Sequence, residues 1–201
     1  MRSSPVLLLP LAAVLLPLLP PDRASASPGE PWSVAVFAGP GTHNNSTKVF
    51  LQGDWRTDFE MAGLALTRDL WQLPARWKLQ AEGYAGLQFP EEGSTTGEFD
   101  LFLALRREGV LRFGPHRLDL AAGYGPSWLT KAPKQDDVAR NLFLSGVFVE
   151  LALSLRPDSP WEALFRWQHR SSTFGLYSDD EIVTASNAFV LGLRRSFSLG
   201  P

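Results

Sequence analysis

The stretch Trp77-Lys78-Leu79-Gln80-Ala81-Glu82-Gly83-Tyr84-Ala85-Gly86-Leu87-Gln88-Phe89 decides the fold. Trp77, Leu79, Ala81, Ala85, Leu87 and Phe89 fall on one face; Lys78, Gln80, Glu82, Tyr84 and Gln88 fall on the other. Neighbouring side chains on a strand alternate between faces, so a period of two is the mark of an extended chain. The same alternation recurs along the sequence. Phe99, Leu101, Leu103 and Leu105 oppose Asp100, Phe102, Ala104 and Arg106; Val147, Val149, Leu151 and Leu153 oppose Gly146, Phe148, Glu150, Ala152 and Ser154.

Outward from that segment, the chain reads as eight strands: Trp32 to Ala38, Phe59 to Arg68, Trp77 to Phe89, Glu98 to Arg106, Arg117 to Trp128, Leu142 to Leu155, Trp161 to Ser171 and Asn187 to Phe197. Gly, Pro, Asp, Asn and Ser separate them, as antiparallel turns require. The turns are read around Trp71 to Arg76, through Gly109 and Pro115, and at Arg156 to Pro160. Loops cover residues 39–58 and 131–140, and Lys48 to Trp55 has the makings of a short helix or strand. Asn44 to Thr47 is a formal glycosylation sequon, read as loop chemistry and nothing more.

Alternation alone does not separate a soluble barrel or sandwich, apolar inside, from a membrane barrel, apolar outside. Placing both chain ends in the periplasm puts Trp32, Trp71, Trp77, Trp161 and Phe197 at one edge and Trp128 at the other. These are the two aromatic girdles of a bilayer-spanning barrel. Glu82 and Glu150 lie mid-strand with Lys78 and Arg106 on the small-residue face, which suits a narrow, side-chain-filled lumen. The expectation is an all-β, eight-stranded antiparallel transmembrane β-barrel. A lipocalin-like soluble periplasmic ligand binder is the alternative.

The N-terminus agrees with export. Arg2, an apolar run from Val6 to Leu19 and Ala24-Ser25-Ala26 make a signal peptide over residues 1–26, cleaved after Ala26. The barrel domain is then 27–201, and the expected location is the outer membrane. The apolar run is shorter than the ~20 residues of a spanning helix and is interrupted by Pro10 and Pro17. Cysteine is absent and three histidines, His43, His116 and His169, lie far apart. Disulfides, thiol chemistry and a His-cluster metal site are therefore not expected, nor is any cofactor. No basic stripe points to nucleic acid. His43 and His116 are read as loop and turn residues.

One constellation carries chemistry. On the seventh strand Trp161, Ala163, Phe165, Trp167, His169 and Ser171 share the apolar, lipid-side face; on the eighth, Asn187, Phe189, Leu191 and Leu193 share it. His169, Ser171 and Asn187 then meet at the extracellular rim. Polar groups facing lipid are costly unless something satisfies or uses them. Serine, histidine and an orienting group are the parts of a nucleophilic hydrolase. The plain alternative is that they are ordinary rim residues whose polar ends reach water.

The segment His169-Arg170-Ser171, a loop containing Gly175, and a final strand from Ser186-Asn187 to Phe197 resemble the lipid A 3-O-deacylase family of outer-membrane enzymes, the PagL-like, acyloxyacyl-hydrolase-related barrels. The resemblance extends more loosely over Gly123-Tyr124-Gly125-Pro126-Ser127 and Phe148 to Leu153. It implies His169 as general base, Ser171 as nucleophile, and cleavage of an ester-linked acyl chain of lipid A, the membrane anchor of lipopolysaccharide, among the outer-membrane lipids. The family's orienting carboxylate falls on Asn187, with Asp179, Asp180 and Glu181 as other carriers of that role. The residue after the nucleophile, often Asn in the family, is Ser172, and Ser172 and Gly175 are the candidate oxyanion donors. The chain also runs past the terminal Phe197 to Pro201. A non-catalytic barrel with a structural, adhesion or recognition role is the second functional reading.

Overall fold

The computed structural model describes residues 32–44, 46–53, 55–91, 93–131, 142–154, 156, 159–172 and 185–198. Eight strands close into one antiparallel barrel, each paired with its sequence neighbour and the first with the last. They are β1 (Trp32–Thr42), β2 (Phe59–Leu73), β3 (Trp77–Pro90), β4 (Thr96–Phe113), β5 (His116–Leu129), β6 (Phe143–Ser154), β7 (Trp161–Ser171) and β8 (Ala185–Phe197). Closure is made by β1 against β8, from Trp32 opposite Phe197 to Thr42 opposite Asn187. One short helix, α1 (Ser46–Leu51), follows β1.

The strand pattern and its face assignment hold, with three corrections. β1 runs on to Thr42, into the stretch read as a loop, and β2 runs on to Leu73, into the stretch read as a turn. Gly109 is not a turn. It sits at positive φ inside β4, where the register shifts between Arg107 and Leu111, and β4 runs on to Phe113. A glycine at positive φ is how a strand takes in an extra residue without ending. The hairpin turns instead at Gly114 and Pro115.

The barrel is apolar outside and charged inside. Leu64, Leu66, Leu87, Leu101, Leu103, Leu105, Phe165 and Leu191 are exposed, while Glu82, Glu98, Asp100, Arg106, Asp119, Glu150, Glu162, Arg166, Arg170 and Arg194 are buried. Only a lipid solvent makes this distribution favourable, because exposed leucine gains nothing from water and buried charge must be matched. The matching is extensive. Arg166 is wholly buried and donates to Glu82 and Glu150, at 2.7 and 2.6 Å, with its guanidinium 4.4 Å from the Phe37 ring and 4.0 Å from that of Phe148. Arg194 reaches Glu150 at 2.7 Å, and Arg106 bridges Asp119 and Glu162. Phe59, Met61, Tyr84, Phe102, Phe148 and Val190 fill the space between these pairs. The lumen is therefore a packed core.

Candidate functional site

His169 lies directly opposite Asn187 in the β7–β8 ladder, and Asn187 opposite Thr42 in the β8–β1 ladder. Both side chains lie on the barrel's outer face at the β7–β8 rim. Asn187 Oδ1 is 3.1 Å from His169 Nδ1. The same oxygen accepts from Trp167 Nε1–H at 2.9 Å and from the Ser46 hydroxyl at 3.1 Å. Asn187 Nδ2 donates to the Asn44 carbonyl at 2.6 Å. These partners fix the amide's orientation. An indole nitrogen only donates and a carbonyl only accepts, so the atom facing Trp167 must be oxygen and the atom facing Asn44 must be nitrogen.

The histidine tautomer follows. Nδ1 faces an obligate acceptor, so in the neutral ring the proton sits on Nδ1 and the lone pair on Nε2. Ser46 Oγ also lies 3.1 Å from Nδ1. It donates its own proton to Asn187 Oδ1 and offers a second oxygen to Nδ1–H. The Trp167 ring stacks on the imidazole, with centroids 5.6 Å apart and an interplanar angle of 20°.

Ser171 is the second-next residue on the same face of β7, about 6.5–7 Å along the strand from His169 at the backbone. Its carbonyl accepts the Ser145 hydroxyl at 2.9 Å, which anchors the end of β7 to β6. Among the described residues no hydrogen bond joins the Ser171 hydroxyl to His169. Such bonds tighten when substrate arrives, so this spacing is compatible with a nucleophile and its base. Ser172 follows as a buried residue. Gly175, Asp179, Asp180 and Glu181 lie outside the described residues. Among the described residues no group of three or more His, Cys, Asp or Glu side chains is placed to hold a metal ion.

The site is less open to lipid than the strand pattern suggests. Asn187 is 1% exposed although it points outward, because the β1–β2 connection folds down over it. Asp58 holds that connection at its base, accepting from Thr42 Oγ1 at 2.9 Å and from the His43 amide at 2.8 Å. The helix α1 then lies against the outside of the barrel. Phe50 meets Trp167 and Phe189 edge-on, with centroids 5.3 and 5.9 Å apart, and Trp55 packs on Phe189 at 5.0 Å. Ser46 and Asn44 are thus part of the site, and reading their stretch as loop chemistry alone misses them. Their partners are 123 and 143 residues away in sequence, and no local pattern announces such pairs.

The chain is an eight-stranded transmembrane β-barrel with a polar Ser–His–Asn cluster on its outer face. Its fold is that of solved outer-membrane barrels. It is similar to the crystal structure of the outer membrane enzyme PagL, with a TM-score of 0.57 and 14% sequence identity over 82% of this chain and 99% of that one. It is also similar to the crystal structure of Neisserial surface protein A, with a TM-score of 0.51 and 9% identity over 83% of this chain and 97% of that one. No family model matches the sequence, and none of the curated proteins matches it. One of these two structures is that of an enzyme and the other that of a surface protein, so architecture alone does not select between these roles.

Proposed function

We propose that this protein is an outer-membrane ester hydrolase that removes an acyl chain from lipid A in the outer leaflet. Residues 1–26 act as its export signal. The observation that carries the reading is the bond between Asn187 Oδ1 and His169 Nδ1, on the lipid side of the rim and two residues from Ser171. Buried polar groups on a lipid-facing surface call for a use, and a histidine held as the Nδ1–H tautomer is poised as a base through Nε2.

In this mechanism Nε2 takes the Ser171 proton as Oγ attacks the ester carbonyl carbon. The negative charge that develops on the carbonyl oxygen is met by backbone amides, for which Ser172 and Gly175 are the candidates. The tetrahedral intermediate collapses, its bond to the sugar oxygen breaks, and His169 returns the proton to that oxygen. Water, activated by the same nitrogen, then releases the fatty acid and restores Ser171. Asn187 orients the ring but, being neutral, stabilises the imidazolium less than a carboxylate would.

Mass spectrometry of lipid A from Gram-negative cells expressing the wild type or Ser171→Ala tests this. The wild type is expected to yield species lacking one acyl chain, and the variant the intact lipid. Identical acylation in both, with both barrels present in the outer membrane, would instead support a non-catalytic surface barrel.

A further inference from the structure

We propose that Ser46 is a positioning residue for His169, and that helix α1 exists in part to deliver it. The inference rests on the hydrolase reading and extends it to a group outside the Ser171–His169–Asn187 set. Three distances define it: Ser46 Oγ to His169 Nδ1, Ser46 Oγ to Asn187 Oδ1, and Asn187 Oδ1 to His169 Nδ1 are each 3.1 Å. The three groups form a closed triangle in which Nδ1–H faces two oxygens, one amide and one hydroxyl.

A lone amide is a weak orienter, because it carries no net charge to hold the imidazole. Here Asn187 is shared among three donors, Trp167 Nε1, the Ser46 hydroxyl and His169 Nδ1, which dilutes its hold on any one of them. The Ser46 oxygen restores a second acceptor at the same nitrogen. Its own proton, directed to Asn187 Oδ1, leaves its lone pairs turned toward the ring.

Delivery is built into α1. Phe50, one turn on from Ser46, is wedged against Trp167 and Phe189, and the Asn44 carbonyl two residues before Ser46 accepts Asn187 Nδ2. The hydroxyl is thus held from both sides of its own chain. Among the described residues Ser46 is also the serine whose hydroxyl lies within hydrogen-bonding distance of the imidazole, which raises the opposite assignment, Ser46 as nucleophile and Nδ1 as base. The proton count argues against it. A basic Nδ1 would set its lone pair against the Asn187 Oδ1 lone pairs at 3.1 Å.

The test uses the full-length barrel refolded in detergent micelles, with heat-modifiable gel mobility confirming that each variant is folded. In ¹⁵N-histidine spectra, with His169 assigned by its loss in His169→Gln, the wild type is expected to be mainly the Nδ1–H tautomer. Ser46→Ala is expected to give a mixture and Ser46→Thr to stay like the wild type. In lipid A hydrolysis, Ser46→Ala is expected to lower kcat about 10- to 100-fold, by analogy with the loss of outer partners of metal-ligating histidines, with KM unchanged and Ser46→Thr recovering most of the loss. A fluorophosphonate adduct is expected on Ser171. An unchanged tautomer in Ser46→Ala, or an adduct on Ser46, overturns the proposal. Absence of hydrolysis by the wild type would remove the hydrolase reading alone, leaving the tautomer spectra to decide the role of Ser46.

Discussion

Asn187 and Asn44 are 143 residues apart in sequence, yet the Asn187 amide donates to the Asn44 carbonyl at 2.6 Å. That bond ties the β1–β2 connection to the last strand and gives Asn187 two duties, one toward the loop and one toward His169. Asn187→Ala removes both. Turnover is expected to fall about 100-fold, within the range for loss of a general base's correct presentation, while the barrel remains heat-modifiable. Steady-state hydrolysis of lipid A by the refolded variant checks it; activity within twofold of the wild type would strip Asn187 of the orienting role.

The contact of Phe50 with Trp167 and Phe189 is expected to be the latch of α1. Phe50 remains 53% exposed, so its loss leaves no cavity in the barrel. Phe50→Ala should cost the latch about 0.5–1.5 kcal/mol per aromatic pair and let the connection lift away. Proteolysis of intact cells reads this directly. Cleavage within residues 43–58 should be several-fold faster in Phe50→Ala than in the wild type. It should also come from outside the cell, which checks the orientation of the barrel at the same time.

Much of this architecture is legible in the amino-acid sequence. The alternation of Leu101, Leu103 and Leu105 with Asp100, Phe102 and Ala104 is a backbone property, and a backbone property survives into the fold. The ladder placing His169 opposite Asn187 follows from the two strands and their hairpin. What alternation does not encode is anything perpendicular to the wall. Gly109, which follows the charged run Arg106-Arg107-Glu108, reads as a turn because glycine commonly punctuates strands, and only the pairing of Leu111 with Leu118 shows that the strand resumes. Ser46 stays hidden for a different reason. Its position depends on a helix of one and a half turns docking by two aromatic contacts, and helices that short have no pattern strong enough to declare a face.

The charged interior gives an independent expectation about stability. Arg166 is the common partner of Glu82 and Glu150, with none of its surface exposed. Arg166→Met removes the cation and leaves Glu82 dependent on Thr67 and a 4.0 Å approach from Arg194. Breaking one member of a buried pair typically costs about 3–5 kcal/mol, because the remaining charge is left without compensation. Adding Glu82→Gln to Arg166→Met should recover part of that loss. Urea unfolding of the two variants in micelles or lipid vesicles measures both values. A double variant no more stable than the single would show that Arg194 already neutralises Glu82.

Leu103 offers the sharpest check on which side of the wall faces lipid. It lies midway along β4 between Phe99, which pairs with Trp128 of the outer aromatic girdle, and Arg107, which pairs with Trp77 of the inner one. It is 56% exposed and points away from the lumen. If the surrounding solvent is hydrocarbon, an arginine there must sit near the bilayer midplane, at a cost of about 2–4 kcal/mol. On a water-facing wall the same substitution would cost little, since an exposed leucine exchanged for a charged residue changes stability by about 0.5 kcal/mol or less. Reversible unfolding of Leu103→Arg in lipid vesicles is therefore expected to show a loss of several kcal/mol. Glu60→Arg, exposed on β2 close to the extracellular rim, should change stability by less than about 1 kcal/mol. Equal effects at the two positions would mean that the apolar belt does not face lipid, and the hydrolase proposed at His169 would have no membrane lipid to act on.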